Sequence, residues 1–172
     1  LGDVYKRQIL TPAARTRMFE MLAETRAVRG TKIAFDSNFR PALWEDHATA
    51  RETMDRMWQL TDIALPSIDD EMALYALDSE AAAIAKFAAR DWKGIAIKRG
   101  VRGPISPLLA PGELPDFPLA TRVVDTTAAG DSFNGGYLAA FLDGADEAER
   151  LIAGHRLAAE VVAAPGAIIP RR

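Results

Sequence analysis

The residues best suited to chemistry lie in one short segment, Asp125-Thr-Thr-Ala-Ala-Gly-Asp131, between an apolar run and a helical pattern. Small side chains at a helix N-terminus let backbone N–H groups approach an anion, and the helix dipole favours negative charge there. Asp131 could then take a proton from an attacking hydroxyl while the neighbouring amides hold a phosphoryl group. Alternatively, Asp131 caps its helix and the small residues serve packing, because short Gly/Ala turns are common. Spacing alone leaves both interpretations open.

Polar, charged and glycine residues also follow the other predicted strands. In an open parallel sheet, ligands bind beyond the carboxyl ends of the strands. The segments after the strands should therefore share one edge, which is the candidate site. These segments are 36–40, 66–70, 98–103 and 125–131.

The elements that must position these segments alternate between strands and helices. This alternation predicts right-handed crossovers and a parallel sheet covered by helices on both faces. The predicted strands are apolar throughout, which agrees with burial on both sides. Strands are predicted at 32–36, 62–65, 94–98 and 121–124, with a short β-excursion near 105–109. Helices are predicted from the Thr11 cap to a stop at Gly30, from a cap at Ser67 or Asp69 to Leu77, and over 46–60, 79–89, 129–142 and 145–164.

Composition excludes several classes of protein. The 172 residues carry 21 Lys+Arg and 24 Asp+Glu, a net charge of -3, whereas non-specific nucleic-acid binding needs a basic field. With no Cys and only 2 His, disulfides, thiolate ligands and a histidine-rich zinc site are excluded. No apolar run approaches the roughly 20 residues of a membrane span, and the first residues lack the layout of a secretory signal. We therefore expect a cytoplasmic protein with no nucleic-acid or membrane partner.

Four segments carry a family resemblance, and they occur in the family's order. The segment Asp125-Thr-Thr-Ala-Ala-Gly-Asp-Ser-Phe-Asn-Gly-Gly-Tyr-Leu resembles the C-terminal signature of the ribokinase-like (phosphofructokinase B type) sugar kinases. Asp36-Ser-Asn-Phe-Arg-Pro-Ala-Leu-Trp44, with 65–71 and 166–171, is similar to the subgroup of that family that phosphorylates 2-dehydro-3-deoxygluconate. The resemblance implies an α/β, ribokinase-like three-layer fold with a mainly parallel sheet.

The resemblance also implies roles in phosphoryl transfer. Asp131 would be the catalytic base that contacts the substrate and deprotonates the sugar hydroxyl. The amides of Ala128, Ala129 and Gly130 would form the anion hole for the migrating phosphoryl group, although the family often has Gly at the first of these positions. Arg40 would bind the carboxylate of a sugar acid, which suits a bidentate guanidinium. The alternative for Arg40 is a surface ion pair.

Other matching residues would bind the ATP cofactor. Asn38 would lie near the ATP phosphates, and His155 would lie beside adenine. A turn after the third strand would approach the nucleotide, since glycine allows close backbone contact. The nucleotide-binding set is Asn38, Lys98, Gly100, Gly103, His155 and Gly166.

A magnesium site is implied less directly. The family's Asn-x-x-Glu element, which helps organise Mg²⁺ and phosphate, maps to Ser67-Ile-Asp-Asp70. Asp70 keeps a carboxylate, whereas Ser67 replaces an amide. We expect Asp70 to contact Mg²⁺ through water, which tolerates the change.

The resemblance runs from about Ile9 to the end of the chain. We interpret residues 1–8 as a non-matching, foreign segment, and the alternative is a divergent strand. We interpret residues 9–172 as the C-terminal part of a ribokinase-like carbohydrate kinase domain whose N-terminal part and lid are missing. The expected function is ATP-dependent phosphorylation of 2-dehydro-3-deoxy-D-gluconate to its 6-phosphate, with the 172 residues alone inactive. The alternatives are a nucleotide-binding fragment without kinase activity and a kinase for another sugar such as fructose. The expected partners are a sugar acid and ATP, and a homo-oligomer of the full-length protein stays open.

Overall fold

A computed structural model describes residues 11–169, apart from Arg29 and Pro111, so the interpretation of residues 1–8 lies outside the described residues. The chain forms two compact units. One contains the residues up to Lys86 together with Arg90–Lys93, and the other contains Phe87–Ala89 together with the residues from Gly94 onward.

The described part of the first unit contains two short parallel strands and four α-helices that alternate with them or follow them. Ala34 in the first strand lies opposite Ile63, and Phe35 lies opposite Ala64. Parallel pairing confirms the predicted α/β class with a parallel sheet. The elements in chain order are α1 (Pro12–Ala27), β1 (Ala34–Phe35), a 3₁₀ turn (Pro41–Leu43), α2 (His47–Leu60), β2 (Ile63–Ala64), α3 (Ile68–Tyr75) and α4 (Glu80–Ala88), whose last residues belong to the second unit.

Side-chain caps set the helix starts of the first unit. Thr11 accepts a hydrogen bond from the Ala14 N–H at 3.2 Å, and Asp46 accepts one from the Thr49 N–H at 2.7 Å. These bonds satisfy amides that have no acceptor inside the helix. The predicted stop at Gly30 comes late, because α1 already ends at Ala27 and the extended backbone of Val28 closes it.

The two strands are shorter than predicted, but their backbone contact continues on both sides. The Ile63 N–H donates to the Ile33 carbonyl at 3.0 Å, and the Leu65 N–H donates to the Phe35 carbonyl at 2.9 Å. Aromatic packing covers the strands, since the rings of Phe35 and Trp58 lie 4.7 Å apart, edge to face. The predicted burial on both sides holds for β2, whose two residues are buried, but not for β1, in which Ala34 is exposed and Phe35 is half-buried.

The second unit is built on two long helices. Its elements are β3 (Gly94–Ile95), a 3₁₀ turn (Gly100–Arg102), α5 (Ala129–Leu142) and α6 (Glu147–Val162). The bounds of α5 are those predicted. The predicted β-excursion is confirmed as an antiparallel bridge between Ile97 and Ile105, with N–H···O distances of 2.8 and 3.0 Å.

The predicted strand at 121–124 is wrong. In the described part of the second unit, this segment has no strand neighbour, and Val123 and Val124 are 61% and 49% exposed. The N–H groups of Val124 and Asp125 instead donate to the Val162 carbonyl at the end of α6, at 2.8 and 3.3 Å. An apolar run becomes a strand only when another strand satisfies its backbone groups.

A carboxylate at the start of α6 ties the elements of the second unit together. Glu147 Oε1 accepts hydrogen bonds from the Ile95 N–H at 3.2 Å, the Ser106 hydroxyl at 2.8 Å and the Tyr137 hydroxyl at 2.9 Å. Arg150 Nη1 lies 3.2 Å from Oε2. Burial and the Glu147 carboxylate raise the pKa of Tyr137, so its hydroxyl remains a donor. This node joins β3, the bridge at Ile105, α5 and α6.

Among the described residues, no helix has the length and apolar character needed to cross a membrane.

Candidate functional site

The N-terminus of α5 is open to an anion. Its N-cap is Ala128, which lies in the left-handed region (φ 60°, ψ 15°) and offers no side-chain acceptor. The Ala129 N–H donates to the Thr126 carbonyl at 3.2 Å, whereas the N–H groups of Gly130 and Asp131 follow in the first turn, where a helix supplies no acceptor. The positive end of the helix dipole adds to this preference for negative charge.

The left-handed Ala128 predicts a gain from glycine at this position. We expect Ala128→Gly to raise the free energy of unfolding by about 0.5–1 kcal/mol, because the strain of a left-handed alanine exceeds the entropy cost of glycine. Urea denaturation followed by far-ultraviolet circular dichroism measures the change.

The neighbouring helical residue provides the control for this prediction. Ala129→Gly, at the first helical position of α5, has no such strain to relieve and should lower stability. Equal effects of the two substitutions would contradict the argument.

The loop before α5 is fixed by Asp125. Its Oδ1 accepts a hydrogen bond from the Thr127 N–H at 2.8 Å, and its Oδ2 accepts one from the Gly166 N–H at 3.0 Å. Hydrogen bonds from Thr127, and then that from Gly166, hold the pKa of the Asp125 carboxyl below its usual value. Of the predicted nucleotide-binding residues, Gly166 is thus brought to the loop that carries the predicted anion hole.

Lys98 borders the same helix N-terminus. Its side chain is largely buried, and Nζ lies 3.1 Å from Asn134 Oδ1. A Cβ placed on Gly130 would lie 3.6 Å from this Nζ. The ammonium group therefore raises the positive potential beside the first amides of α5. Sequence reasoning missed Asn134, although it lies in the signature segment, three residues after Asp131 and hence on the same side of the helix.

The two glycines of the 98–103 turn have different reasons to be glycine. Both have positive φ, 57° at Gly100 and 74° at Gly103. A side chain on Gly100 would meet open space, whereas a Cβ on Gly103 would collide with the ring of Phe117. Packing therefore accounts for Gly103, and close backbone approach of a ligand is sterically open only at Gly100.

His155 lies on α6, and its imidazole ring contacts the segment that contains Phe117 and Pro118. Its Nε2 lies 2.9 Å from the Pro118 carbonyl oxygen, and its ring centroid lies 5.1 Å from that of Phe117. These contacts orient the imidazole. Its predicted place beside adenine stays a prediction.

The first unit brings together two of the predicted site residues. Arg40 Nη1 lies 3.3 and 3.4 Å from the two carboxylate oxygens of Asp70 and donates to the Phe39 carbonyl at 2.7 Å. Asn38 lies in the same turn, with φ 39° and its N–H bonded to Asp36 Oδ1 at 3.1 Å. The segments after β1 and β2 meet, as expected for neighbouring parallel strands.

A magnesium ion would find few protein ligands here. Within the described ranges, no group of three or more His, Asp or Glu residues could hold a metal ion. Mg²⁺ often uses only one or two carboxylates and takes its other ligands from phosphates and water. Asp70, a single carboxylate paired with Arg40, fits a magnesium ion of that kind and not a cage made of protein ligands.

A buried acid beside Asp70 escaped sequence reasoning. The Glu71 side chain is fully buried, and its Oε1 accepts a hydrogen bond from the Ser37 hydroxyl at 2.7 Å. Its Oε2 accepts no hydrogen bond from any residue that the structure describes, and Lys86 Nζ lies 4.0 Å from it. Burial raises the pKa of Glu71 to about 7, against the opposing effects of Ser37 and Lys86. Helical spacing could have found it, because Glu71 lies three residues from Ile68 and from Leu74, the other buried residues of α3.

An α/β chain with an uncapped helix N-terminus, an acid in the first turn of that helix and a lysine beside it is typical of proteins that handle phosphoryl groups. The model of the pfkB family, described as pfkB family carbohydrate kinase, matches residues 3–172. The chain belongs to this family, and the predicted family is confirmed.

Curated relatives and solved structures agree with this assignment. The chain is 38% identical over 167 residues to a 2-dehydro-3-deoxygluconokinase of Escherichia coli (strain K12), covering 95% of this chain and 53% of the relative. It is 33% identical over 134 residues to a fructokinase of Klebsiella pneumoniae, covering 74% of this chain and 41% of the relative. The chain thus spans about half the length, or less, of these relatives.

Among solved structures, aminoimidazole riboside kinase from Salmonella enterica, complexed with aminoimidazole riboside and an ATP analog, superposes with a TM-score of 0.77. The sequences are 27% identical, and the match covers 93% of this chain and 55% of that one. A putative ribokinase II from Escherichia coli gives a TM-score of 0.71 at 25% identity over 94% of this chain and 52% of that one. The ribokinase-like fold is confirmed, and the chain corresponds to about half of each of these structures.

Proposed function

We propose that the chain is the nucleotide-binding and catalytic-base part of an ATP-dependent sugar-acid kinase. The substrate is 2-dehydro-3-deoxy-D-gluconate, and the product is its 6-phosphate. The observation that carries the proposal is the uncapped start of α5, with Asp131 in its first turn and Lys98 beside Gly130. Family membership supports a carbohydrate kinase, and the similarity to the Escherichia coli relative supports the choice of sugar acid. Cytoplasmic location and a homo-oligomer of the full-length protein stay predictions.

The proposed reaction divides proton removal and charge stabilisation between two parts of α5. Asp131 takes the proton of the terminal sugar hydroxyl. The oxygen of that hydroxyl attacks the γ-phosphorus of ATP, and the bond between this phosphorus and the β,γ-bridging oxygen breaks, so that ADP leaves. The proposed anion hole of Ala128, Ala129 and Gly130 binds the oxygens of the migrating phosphoryl group through backbone N–H groups, where the helix dipole favours the charge. The Ala129 N–H would exchange its 3.2 Å bond to the Thr126 carbonyl for this contact. Lys98 adds a positive charge beside these amides.

The remaining proposed contacts are with nucleotide and metal. The proposed nucleotide contacts are Asn38 of the first unit and Lys98, Gly100, His155 and Gly166 of the second, and Gly100 has the open space that such a contact needs. Gly103, also predicted to bind the nucleotide, is buried against Phe117 and shapes the turn instead. Bound Mg²⁺ would neutralise phosphate charge, with Asp70 held to it through water.

Arg40 tests the acid substrate. We expect Arg40→Ala to raise the KM for 2-dehydro-3-deoxy-D-gluconate by about 10–100-fold, because a bidentate pair between two charged groups contributes about 1.5–3 kcal/mol. The KM for ATP should change little. A coupled assay of ADP release measures both, in a version of the enzyme that also carries the part of the relatives this chain does not span.

A matched arginine provides the control for Arg40. Arg51→Ala removes an exposed arginine whose Nε donates to the His47 carbonyl of its own helix, and it should leave the KM for the sugar acid unchanged. If Arg40→Ala left that KM unchanged as well, the acid substrate would be abandoned. A neutral sugar such as fructose, suggested by the similarity to the Klebsiella pneumoniae relative, would then be preferred.

The second candidate function is nucleotide binding without phosphoryl transfer. It is favoured by the length of the chain, which covers 53% of the Escherichia coli relative. Calorimetry of ATP binding to the 172-residue chain, together with sugar-dependent ADP release, separates the two. Binding without release supports the binding module, and binding with release supports a kinase within this chain alone.

A further inference from the structure

Two adjacent acids in the first turn of α3 hold the 36–40 segment at two points. Glu71 accepts a hydrogen bond from the Ser37 hydroxyl at 2.7 Å, and Asp70 pairs with Arg40 at 3.3 Å. The inner contact is buried, with Glu71 fully inaccessible and Ser37 6% exposed. The outer contact is accessible, since half of the Arg40 side chain is exposed. The segment is therefore anchored from inside and paired at the surface.

The buried anchor has the greater effect on where the segment lies. An exposed ion pair is weakened by water and salt, whereas a buried hydrogen bond leaves an unsatisfied polar group when it is broken. Between the two contacts lies Asn38 with φ 39°, a positive φ that asparagine adopts more readily than most residues and that neighbouring contacts help to maintain. The Ser37–Glu71 bond supplies such a contact on the buried side.

The remaining donors of Arg40 have the arrangement that a carboxylate requires. The hydrogen bonds that Arg40 donates to the described residues, those to Phe39 and Asp70, all use Nη1. Nε and Nη2 form the opposite edge of the guanidinium, and this edge can donate two parallel hydrogen bonds to one carboxylate. The protein thus fixes one edge of Arg40 and leaves the other for a ligand.

We propose that Glu71 is a positioning residue, which through Ser37 holds the 36–40 segment so that Arg40 presents its Nε–Nη2 edge to the carboxylate of the substrate. The proposal rests on the proposed function, which gives Arg40 the sugar acid. Glu71 itself touches no substrate. Asp70 acts with it by holding Nη1.

Hydrogen exchange in the 172-residue chain tests the positioning step without any activity. Ser37→Ala should accelerate exchange of the 36–40 amides by about tenfold, the effect of losing one buried hydrogen bond. Glu71→Gln keeps an acceptor oxygen for Ser37 and should leave exchange in this segment close to that of the parent chain. Thr61→Val is the matched control, because it removes another buried hydroxyl bond of the same unit, 2.8 Å to the Met57 carbonyl, far along the chain from this segment.

The exchange outcomes decide the positioning step. Acceleration confined to 36–40 in Ser37→Ala, and absent in Thr61→Val, supports it. Unchanged exchange in Ser37→Ala, or acceleration spread over the whole first unit as for a general loss of stability, overturns it.

The ligand step has its own readout, the Arg40 Nε–Hε cross-peak during titration with 2-dehydro-3-deoxy-D-gluconate, in a version of the enzyme that also carries the part of the relatives this chain does not span. The cross-peak should shift in the parent chain and in Glu71→Gln, and Ser37→Ala should need about tenfold more ligand for the same shift. A parent cross-peak that never shifts, with exchange behaving as expected, overturns the role given to Arg40 and leaves the positioning of the segment standing. If the parent and Ser37→Ala need the same amount of ligand for the same shift, the link between the position of the 36–40 segment and ligand binding is overturned.

Discussion

Replacing Asp131 by Asn is expected to lower the turnover number by about a thousandfold, within the range that a positioned general base contributes. An amide of nearly the same size cannot take the proton of the sugar hydroxyl. The KM for ATP should change little, because the proposed anion hole consists of backbone N–H groups that the substitution leaves in place. The measurement is coupled ADP release with saturating sugar acid, in a version of the enzyme that also carries the part of the relatives this chain does not span.

The other end of the same helix provides the control for Asp131. Asp143, the C-cap of α5, is exposed, so Asp143→Asn removes an equal charge from the same element. It should leave turnover unchanged and slightly stabilise the helix, since a negative charge is unfavourable at a helix C-terminus. A turnover number of Asp131→Asn within about threefold of the parent value would exclude the base assignment, because such a base contributes far more.

Local interactions made much of the fold predictable. Thr11 forms the cap predicted for it, and Asp46, where the second helix is predicted to begin, accepts from an amide three residues on in the same way. The bounds of α5 agree with the prediction, because the small residues before it and the apolar spacing within it point to the same start and end. Parallel pairing also followed from alternation alone, since strands joined through helices return in the same direction.

Contacts between distant residues were not predictable in the same way. The run at 121–124 has strand composition, but in the described part of its unit its amides bond to the end of α6 and no strand pairs with it. Composition indicates what a segment can form, and the partner decides what it does form.

In the candidate site too, features set by local sequence were predictable and features set by distant contacts were not. The small residues and the acid of α5 carry a helix-start signal that is visible in the sequence. Of three consecutive acids, in contrast, Glu71 alone is fully buried, and its spacing from Ile68 and Leu74 indicates the buried face of α3 but not the Ser37 hydroxyl that it meets there. The burial of Lys98 beside Asn134 likewise depends on a pairing 36 residues apart along the chain. Long-range packing, not local pattern, sets the environments of these charges.

The second large effect is expected at two adjacent glycines of α5. A Cβ on Gly136 would lie 2.6 Å from the Ala153 carbonyl oxygen and 3.0 Å from the Gly154 Cα, both of them backbone atoms of α6. A Cβ on Gly135 would meet nothing within 4 Å. The same substitution should therefore have opposite effects at neighbouring positions.

We expect Gly136→Ala to lower the free energy of unfolding by about 3 kcal/mol, because a backbone contact cannot yield as a flexible side chain can. Gly135→Ala should raise it by up to about 1 kcal/mol, the difference in helix propensity between the two residues. The measurement is hydrogen exchange across α5 and α6, which reports the free energy of opening in the second unit.

The first unit supplies an internal reference for this experiment. All 3 tryptophans of the chain, Trp44, Trp58 and Trp92, lie in the first unit, so tryptophan fluorescence during urea denaturation reports that unit. Gly136→Ala should lower the free energy of opening that hydrogen exchange reports for α5 and α6 by more than it lowers the free energy of unfolding obtained from tryptophan fluorescence. If both glycine substitutions destabilised the second unit equally, close packing at Gly136 would not explain the loss, because a Cβ on Gly135 meets nothing within 4 Å. Because Asp131 lies in the first turn of α5, a crossing loosened at Gly136 would also displace the proposed base, and turnover should fall even where Asp131 is intact.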